Sequence, residues 1–163
     1  MIGSDRVEVT TLVAAEPALA FAVFTEELDL WWRHGPRHRT QGVRSMLRLD
    51  PCVGGRLIEY GGVEELVLGH VLVWDPPGRL VLAWRRGLEQ GETTEVEVRF
   101  VAEGAGTRVT IEHRGLDHVP VGHRARGGLT MPAFTALTGL WWGDLLVSLR
   151  GRLPAKAPRA REA

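Results

Sequence analysis

Residues 93–114 read TTEVEVRFVAEGAGTRVTIEHR, and their spacing decides the fold. Val96, Val98 and Phe100 alternate with Glu95, Glu97 and Arg99, the period of a strand with one apolar and one polar face. After Glu103-Gly104-Ala105-Gly106, where glycine tolerates positive φ, the alternation resumes with Val109, Ile111 and His113 against Arg108, Thr110 and Glu112. Strands joined by so short a link are antiparallel neighbours. His113 is thereby turned toward the apolar side, and Arg108, Thr110 and Glu112 are left accessible.

The same parity extends upstream. Arg79 to Trp84 groups Leu80, Leu82 and Trp84, and Glu64 to Trp74 groups Leu66, Leu68, His70, Leu72 and Trp74, which brings a second histidine to the inner face. Asp75-Pro76-Pro77-Gly78 is the turn between these strands. Shorter strands are expected over Gly55 to Tyr60 and Ser45 to Asp50. Arg56 and Glu59 lie on opposite faces of the first of these, so at most one points inward, and a surface ion pair is the expected role. Arg6 to Ala14 is β-branched and reads as another strand, with Val7, Val9, Thr11 and Val13 on one face; its edge or central place is open. Pro17 opens a helix that runs to Thr25, and Leu28 to Trp32 makes a second helical turn. Arg33 to Arg39 has breakers and no period, so it is a basic surface loop. Gly115 to Gly128 is a loop or a frayed helix entrance. Thr130 then caps a helix to about Leu153, with Met131, Thr135, Thr138, Trp142, Leu145 and Leu149 in one stripe and Phe134, Leu137 and Trp141 beside it. Pro154 to Ala163 is expected to be a disordered tail after one domain over residues 1–153. The class is α+β: one long helix on a curved antiparallel sheet, with a space between them that wide rings must fill or line.

With 163 residues, one core suffices. Twenty basic and twenty acidic residues cancel, which removes the positive field a nucleic-acid partner requires. Cys52 is the only cysteine, so there is neither an internal disulfide nor a thiolate cluster. No apolar run reaches the roughly 20 residues that span a bilayer, and Met1 to Arg6 lacks a signal-like apolar region. A cytoplasmic protein with no membrane partner is expected.

Several pieces, in order, resemble the activator-of-Hsp90-ATPase-like (AHSA1-like) branch of the START-like, or SRPBCC, helix-grip superfamily. They are the helix after Pro17 leading to Trp31-Trp32, Val53-Gly54-Gly55-Arg56, Gly69 through Trp74-Asp75-Pro76-Pro77-Gly78-Arg79-Leu80-Val81, Gly106 through His113, and Trp142 with Leu145, Leu146 and Leu149. The resemblance covers about residues 6 to 153 and implies a seven-stranded sheet gripping a C-terminal helix, with a hydrophobic tunnel between them. Two departures bear on the role. Eukaryotic co-chaperones of this kind carry a further domain that the resemblance does not reach, so Hsp90 activation is not the expected activity. Trp141 stands where the family usually has glycine, and the loop after Trp32 carries extra Arg and His, which alters the tunnel's volume and mouth.

The candidate ligand-binding residues are His113, His70, Trp84, Trp142, Leu82, Ile111, Trp74 and Trp141. An inward imidazole can hydrogen-bond a ligand carbonyl or move a proton near neutral pH, and indole walls stack on flat apolar molecules. Ordinary core packing accounts for the tryptophans nearly as well, and Trp31-Trp32 are expected to close one end of the tunnel. His34, His38, His113, His118 and His123 with Asp117 raise a metal site, but their spacing gives no common helix face, so no metal and no cofactor is expected. Arg33, Arg37 and Arg39 form either an anion-attracting rim or a solvated loop. The reading that follows is binding of a small hydrophobic molecule, with no catalytic residue assigned. One alternative is a polyketide-cyclase- or aromatase-like enzyme using a cavity histidine; another is an Hsp90-type co-chaperone or interaction module. A homodimer is left open.

Overall fold

The structure, a computed structural model, describes residues 5–39, 45–61, 64–84 and 93–153; the expected disordered tail lies outside them. The elements in chain order are β1 (Val7–Val13), α1 (Pro17–Glu26), α2 (Leu28–Trp31), β2 (Met46–Leu49), β3 (Arg56–Tyr60), β4 (Glu65–Asp75), β5 (Arg79–Trp84), β6 (Thr94–Glu103), β7 (Gly106–Arg114) and α3 (Met131–Arg152). The strands form one seven-stranded antiparallel sheet in the order β1-β7-β6-β5-β4-β3-β2, which makes β1 an edge.

Alternation on β6 and β7 sets the inner face. Val96 pairs with His113, Val98 with Ile111 and Phe100 with Val109, and all are buried. The outer face carries an ion network instead, in which Glu97 meets Arg79, Arg99 and Arg114. Burial is the largest influence on Glu97 and pushes its carboxyl up, but the Arg79 hydrogen bond and the Arg79, Arg114 and Arg99 charges together hold it below the usual carboxylate range. Thr110, expected to be accessible, is buried on this outer face, where its hydroxyl meets Thr10 Oγ1 at 3.2 Å.

Strand β4 departs from simple alternation, and the departure moves a candidate site residue. Its pairing shifts register between Leu57 and Ile58 of β3 and again between Val71 and Val73. Each irregularity inserts an extra residue and reverses the faces beyond it. Gly69 and Val71 therefore pair with the inward Trp84 and Leu82, while His70 pairs with Arg56 and Ala83 on the outer face. His70 is not a cavity residue, and Leu72 is exposed. Glu59 is the inward member of the Arg56–Glu59 pair, 1% exposed and aligned with Leu47 and Leu66. Arg56 instead reaches Asp50 and Glu65 at the surface.

Both long helices begin as their sequences dictate. Pro17 occupies the first turn of α1, and Thr130 caps α3 by accepting from the Ala133 N–H at 3.4 Å. Helix α3 lies close over the edge strand β1, where Gly139 makes room: a Cβ there would meet Val7 Cγ2 at 2.9 Å. Phe21, Phe24 and Phe100 pack edge to face and fill the space between α1 and the sheet.

The C-terminal half of α3 buries Trp142, Leu145, Leu146 and Leu149. Leu145 is 0% exposed and Leu140 on the opposite face 63%. Leu145→Ala is expected to cost about 2 to 5 kcal/mol in urea denaturation, and Leu140→Ala less than about 0.5 kcal/mol. Equal losses would contradict this placement of α3.

Candidate functional site

The space left unfilled lies at the other half of α3. A cavity of about 860 Å³ is bounded by Leu66, Trp84, Thr94 and His113 from the sheet, by Phe134, Leu137, Thr138 and Trp141 from α3, by Leu116, Val119, His123, Arg124, Ala125 and Leu129 from the segment before α3, and by Pro36, Arg37 and Arg39 from the loop after α2. This volume suits a small organic ligand.

Its aromatic wall is one face of a tryptophan cluster. Trp32 stacks on Trp84 with centroids 6.1 Å apart, Trp142 stands edge-on to Trp84 at 5.6 Å, and Trp141 stands edge-on to Trp142 at 4.8 Å. Of the residues expected at the site, Trp84, Trp141 and His113 line the cavity. Trp142, Leu82 and Ile111 are buried in the core layer behind the wall. Trp74 lies elsewhere, edge-on to Phe21 and beside a separate hollow with Thr25, Leu47 and Leu49.

His113, 6% exposed, is the polar station in this wall. Trp142 Nε1–H donates to its Nδ1 at 3.1 Å, and its Nε2 lies 2.7 Å from Thr94 Oγ1. An indole N–H cannot accept, so Nδ1 must be the bare nitrogen and Nε2 carries the proton that Thr94 accepts. The Thr94 hydroxyl in turn donates to the Trp84 carbonyl at 3.4 Å, leaving its second lone pair for a ligand. Burial pushes the His113 imidazolium down to a pKa of about 3. A neutral imidazole with both nitrogens engaged anchors and orients; it is not a base poised near neutrality.

Two buried arginines hold the cavity's borders. Arg39, 1% exposed, donates to Asp29 Oδ1 at 2.7 Å, to the carbonyls of Asp29, Trp32 and Arg33, and to the Ser45 carbonyl. The expectation of a basic surface loop thus fails at Arg39 and at His38, which is also buried beneath Trp141. Arg126 does the same for the segment before α3, donating to the Val119 and Leu129 carbonyls at 3.0 and 2.8 Å. Each guanidinium spends its rigid fork on carbonyls that a loop would otherwise bury unpaired. That segment is ordered around a short 3₁₀ turn, Leu116–His118, entered through Gly115 at φ 77°, with Leu116 and Val119 packed on Phe134.

The remaining histidines do not converge. His118 Nδ1 meets the Thr93 carbonyl, and His123 Nδ1 accepts from the Ala125 N–H. Among the described residues no group of three His, Cys, Asp or Glu side chains is placed to hold a metal ion, and no helix is long and apolar enough to cross a membrane.

Comparison with known proteins places these features. A family model described as Activator of Hsp90 ATPase homolog 1-like protein matches residues 14–138. An anthrahydroquino-γ-pyrone synthase, Txn09, is similar at 31% identity, covering 93% of this chain and 99% of that one, with a TM-score of 0.58. An HSP90 activator from Plasmodium falciparum, PFC0360w, is similar at 17% identity over 91% of this chain and 96% of that one, TM-score 0.64. The Aha1 dimer from Colwellia psychrerythraea is similar at 15% identity over 91% and 95%, TM-score 0.63. No curated protein matches.

Burial of His113 has a consequence in acid. Between pH 6.5 and about 3 the unfolded chain binds a proton at this residue that the folded chain refuses, so stability falls as pH falls through that window. The slope approaches about 1.4 kcal/mol per pH unit inside the window, and well above pH 6.5 the group contributes no pH dependence. Urea midpoints measured at pH 7 and pH 5 should show a loss that is smaller by about 2 kcal/mol in His113→Gln, which cannot titrate. Identical losses in both proteins would mean that His113 is protonated in the folded state.

Proposed function

The chain belongs to the Activator of Hsp90 ATPase homolog 1-like family, and from that footing we propose that it binds a small, flat hydrophobic molecule between the sheet and α3. The observation that carries this is the cavity of about 860 Å³, walled by Trp84, Trp141, Phe134, Leu129 and Leu66 with Thr94 and His113 as its polar station. Burial against the rings supplies affinity, and the Thr94 oxygen fixes orientation. The proposal extends to a cytoplasmic protein able to pair with a second copy, as the similar Colwellia protein does.

One observation favours an enzyme of aromatic polyketide type as a second reading: the 31% identity with an anthrahydroquino-γ-pyrone synthase along nearly the whole chain. In such an enzyme the walls would hold a poly-carbonyl chain folded, and Thr94 Oγ1, oriented by His113 and the Trp84 carbonyl, would accept a hydrogen bond from an enol or hydroxyl of the substrate. Likeness to the HSP90 activator at 17% identity speaks for the fold alone and does not carry a co-chaperone role to this chain.

Titration with the neutral probe N-phenyl-1-naphthylamine should quench tryptophan emission, and native mass spectrometry should find a co-purified small molecule. Thr138→Phe puts a ring into the cavity and should weaken probe binding while the urea midpoint holds. A flat titration would remove the binding reading. Thr94→Val separates the two classes. A carrier loses about 1 kcal/mol of affinity, whereas an enzyme working through that hydroxyl loses about 10² or more in turnover of a poly-β-carbonyl substrate at similar affinity.

A further inference from the structure

Charge is distributed unevenly around the cavity. Arg37, Arg39, Arg124 and the histidines His113 and His123 line it, and among the described residues neither Asp nor Glu does. The chain as a whole is neutral, so this is a local arrangement. The arginines are not equivalent. Arg39 is neutralised by Asp29 at 2.7 Å, and Arg37 shares Asp144 at 3.7 Å. Asp144 also stands 3.9 Å from His38 Nε2. Arg124 is exposed in the segment before α3 and makes no ion pair or side-chain hydrogen bond among the described residues. Among the described residues it is the lining arginine without an acidic partner.

We infer that the cavity takes a flat aromatic molecule bearing an oxyanion, with its rings against Trp84, Trp141 and Phe134 and its negative group at the mouth against Arg124. This rests on the proposed ligand-binding role and names the ligand's chemistry. Among the described residues the inner end supplies no cation: His113 is held neutral by burial and its Nδ1 is taken by Trp142. An anion is therefore directed outward, where guanidinium is available and water still reaches the charge, and the apolar body is directed inward. The polarity of binding is set by the cavity, rings first and oxyanion last.

Two fluorescent probes with the same rings test this. N-Phenyl-1-naphthylamine is neutral, and 1-anilinonaphthalene-8-sulfonate adds one oxyanion. At low salt the sulfonate should bind about tenfold more tightly, the equivalent of one charge-assisted hydrogen bond. Arg124→Gln should abolish most of that preference without moving the neutral probe, Arg124→Lys should retain part of it, and about 0.5 M sodium chloride should shrink it. Thr138→Phe should weaken both probes. Equal binding of the two probes, or a preference that Arg124→Gln leaves intact, would overturn the oxyanion inference and leave the ligand-binding role standing. Failure of both probes to bind, or binding indifferent to Thr138→Phe, would overturn both.

Discussion

The hydrogen bond from Trp142 Nε1 to His113 Nδ1 joins the long helix to the sheet at a buried point. Everything at the site depends on that join. It fixes how far α3 slides along β7, and through the indole it sets where Trp141, the next residue on the helix, meets Trp84 and Trp32. It also decides the imidazole's tautomer, and with it the direction of each hydrogen bond through Thr94 to the Trp84 carbonyl. Replacing either partner would leave a buried polar group unpaired, a larger penalty than the net value of the bond itself. The pair is therefore a structural constraint first, and its polar edge is what the cavity receives.

The halves of α3 differ in what they face, the packed core or the open cavity. Leu145, Leu146 and Leu149 pack into the core beside α1 and α2, where phenylalanines and Trp31 close the space. Toward its N-terminus the same helix offers Phe134, Leu137, Thr138 and Trp141 to an unfilled volume. Gly139 lets the helix settle onto β1 between these regions, so the cavity is not a consequence of α3 being held away from the sheet. It persists because the two border loops are held by Arg39 and Arg126 instead of collapsing inward. Each buried guanidinium satisfies several carbonyls at once, and such clamps keep an apolar opening from being filled by its own rim.

The sequence made the strands legible wherever one face is apolar and one polar. On β6 and β7 the clean period placed Val96, Val98, Phe100, Val109, Ile111 and His113 inside, and the N-cap and the Pro17 start were equally plain. On β4 the run Leu66 to Trp74 is apolar on both faces, so period alone could not reveal two register shifts, and His70 was placed on the wrong side. Composition misled at Arg39: a basic, breaker-rich loop looks solvated until one knows that its carbonyls converge on a guanidinium. Only spatial proximity distinguishes Arg39 from Arg37 and Arg124. The tryptophans were recognised as wall or core, but the choice between them turns on a few ångströms, and Trp142 fell behind the wall while Trp141 stayed in it.

These misplacements bear on which chemistry the cavity supports. With His70 outside, a single imidazole faces the cavity from the sheet, and its basicity is suppressed by burial and by the Trp142 N–H. A pair of histidines could have passed a proton between them; one neutral imidazole behind a threonine hydroxyl leaves a lone pair on Thr94 Oγ1 for a ligand O–H or N–H but is not poised to shuttle protons near pH 7. In the proposed enzyme role the substrate's own reactivity, once it is folded and desolvated, would then carry more of the reaction, with the sheet contributing shape and one fixed acceptor. A wall of this shape fits either proposed role, carrier or cyclase. In these proposed roles the difference between the first and the second would lie in the ligand, whose bound conformation would have to bring its own reacting carbons together.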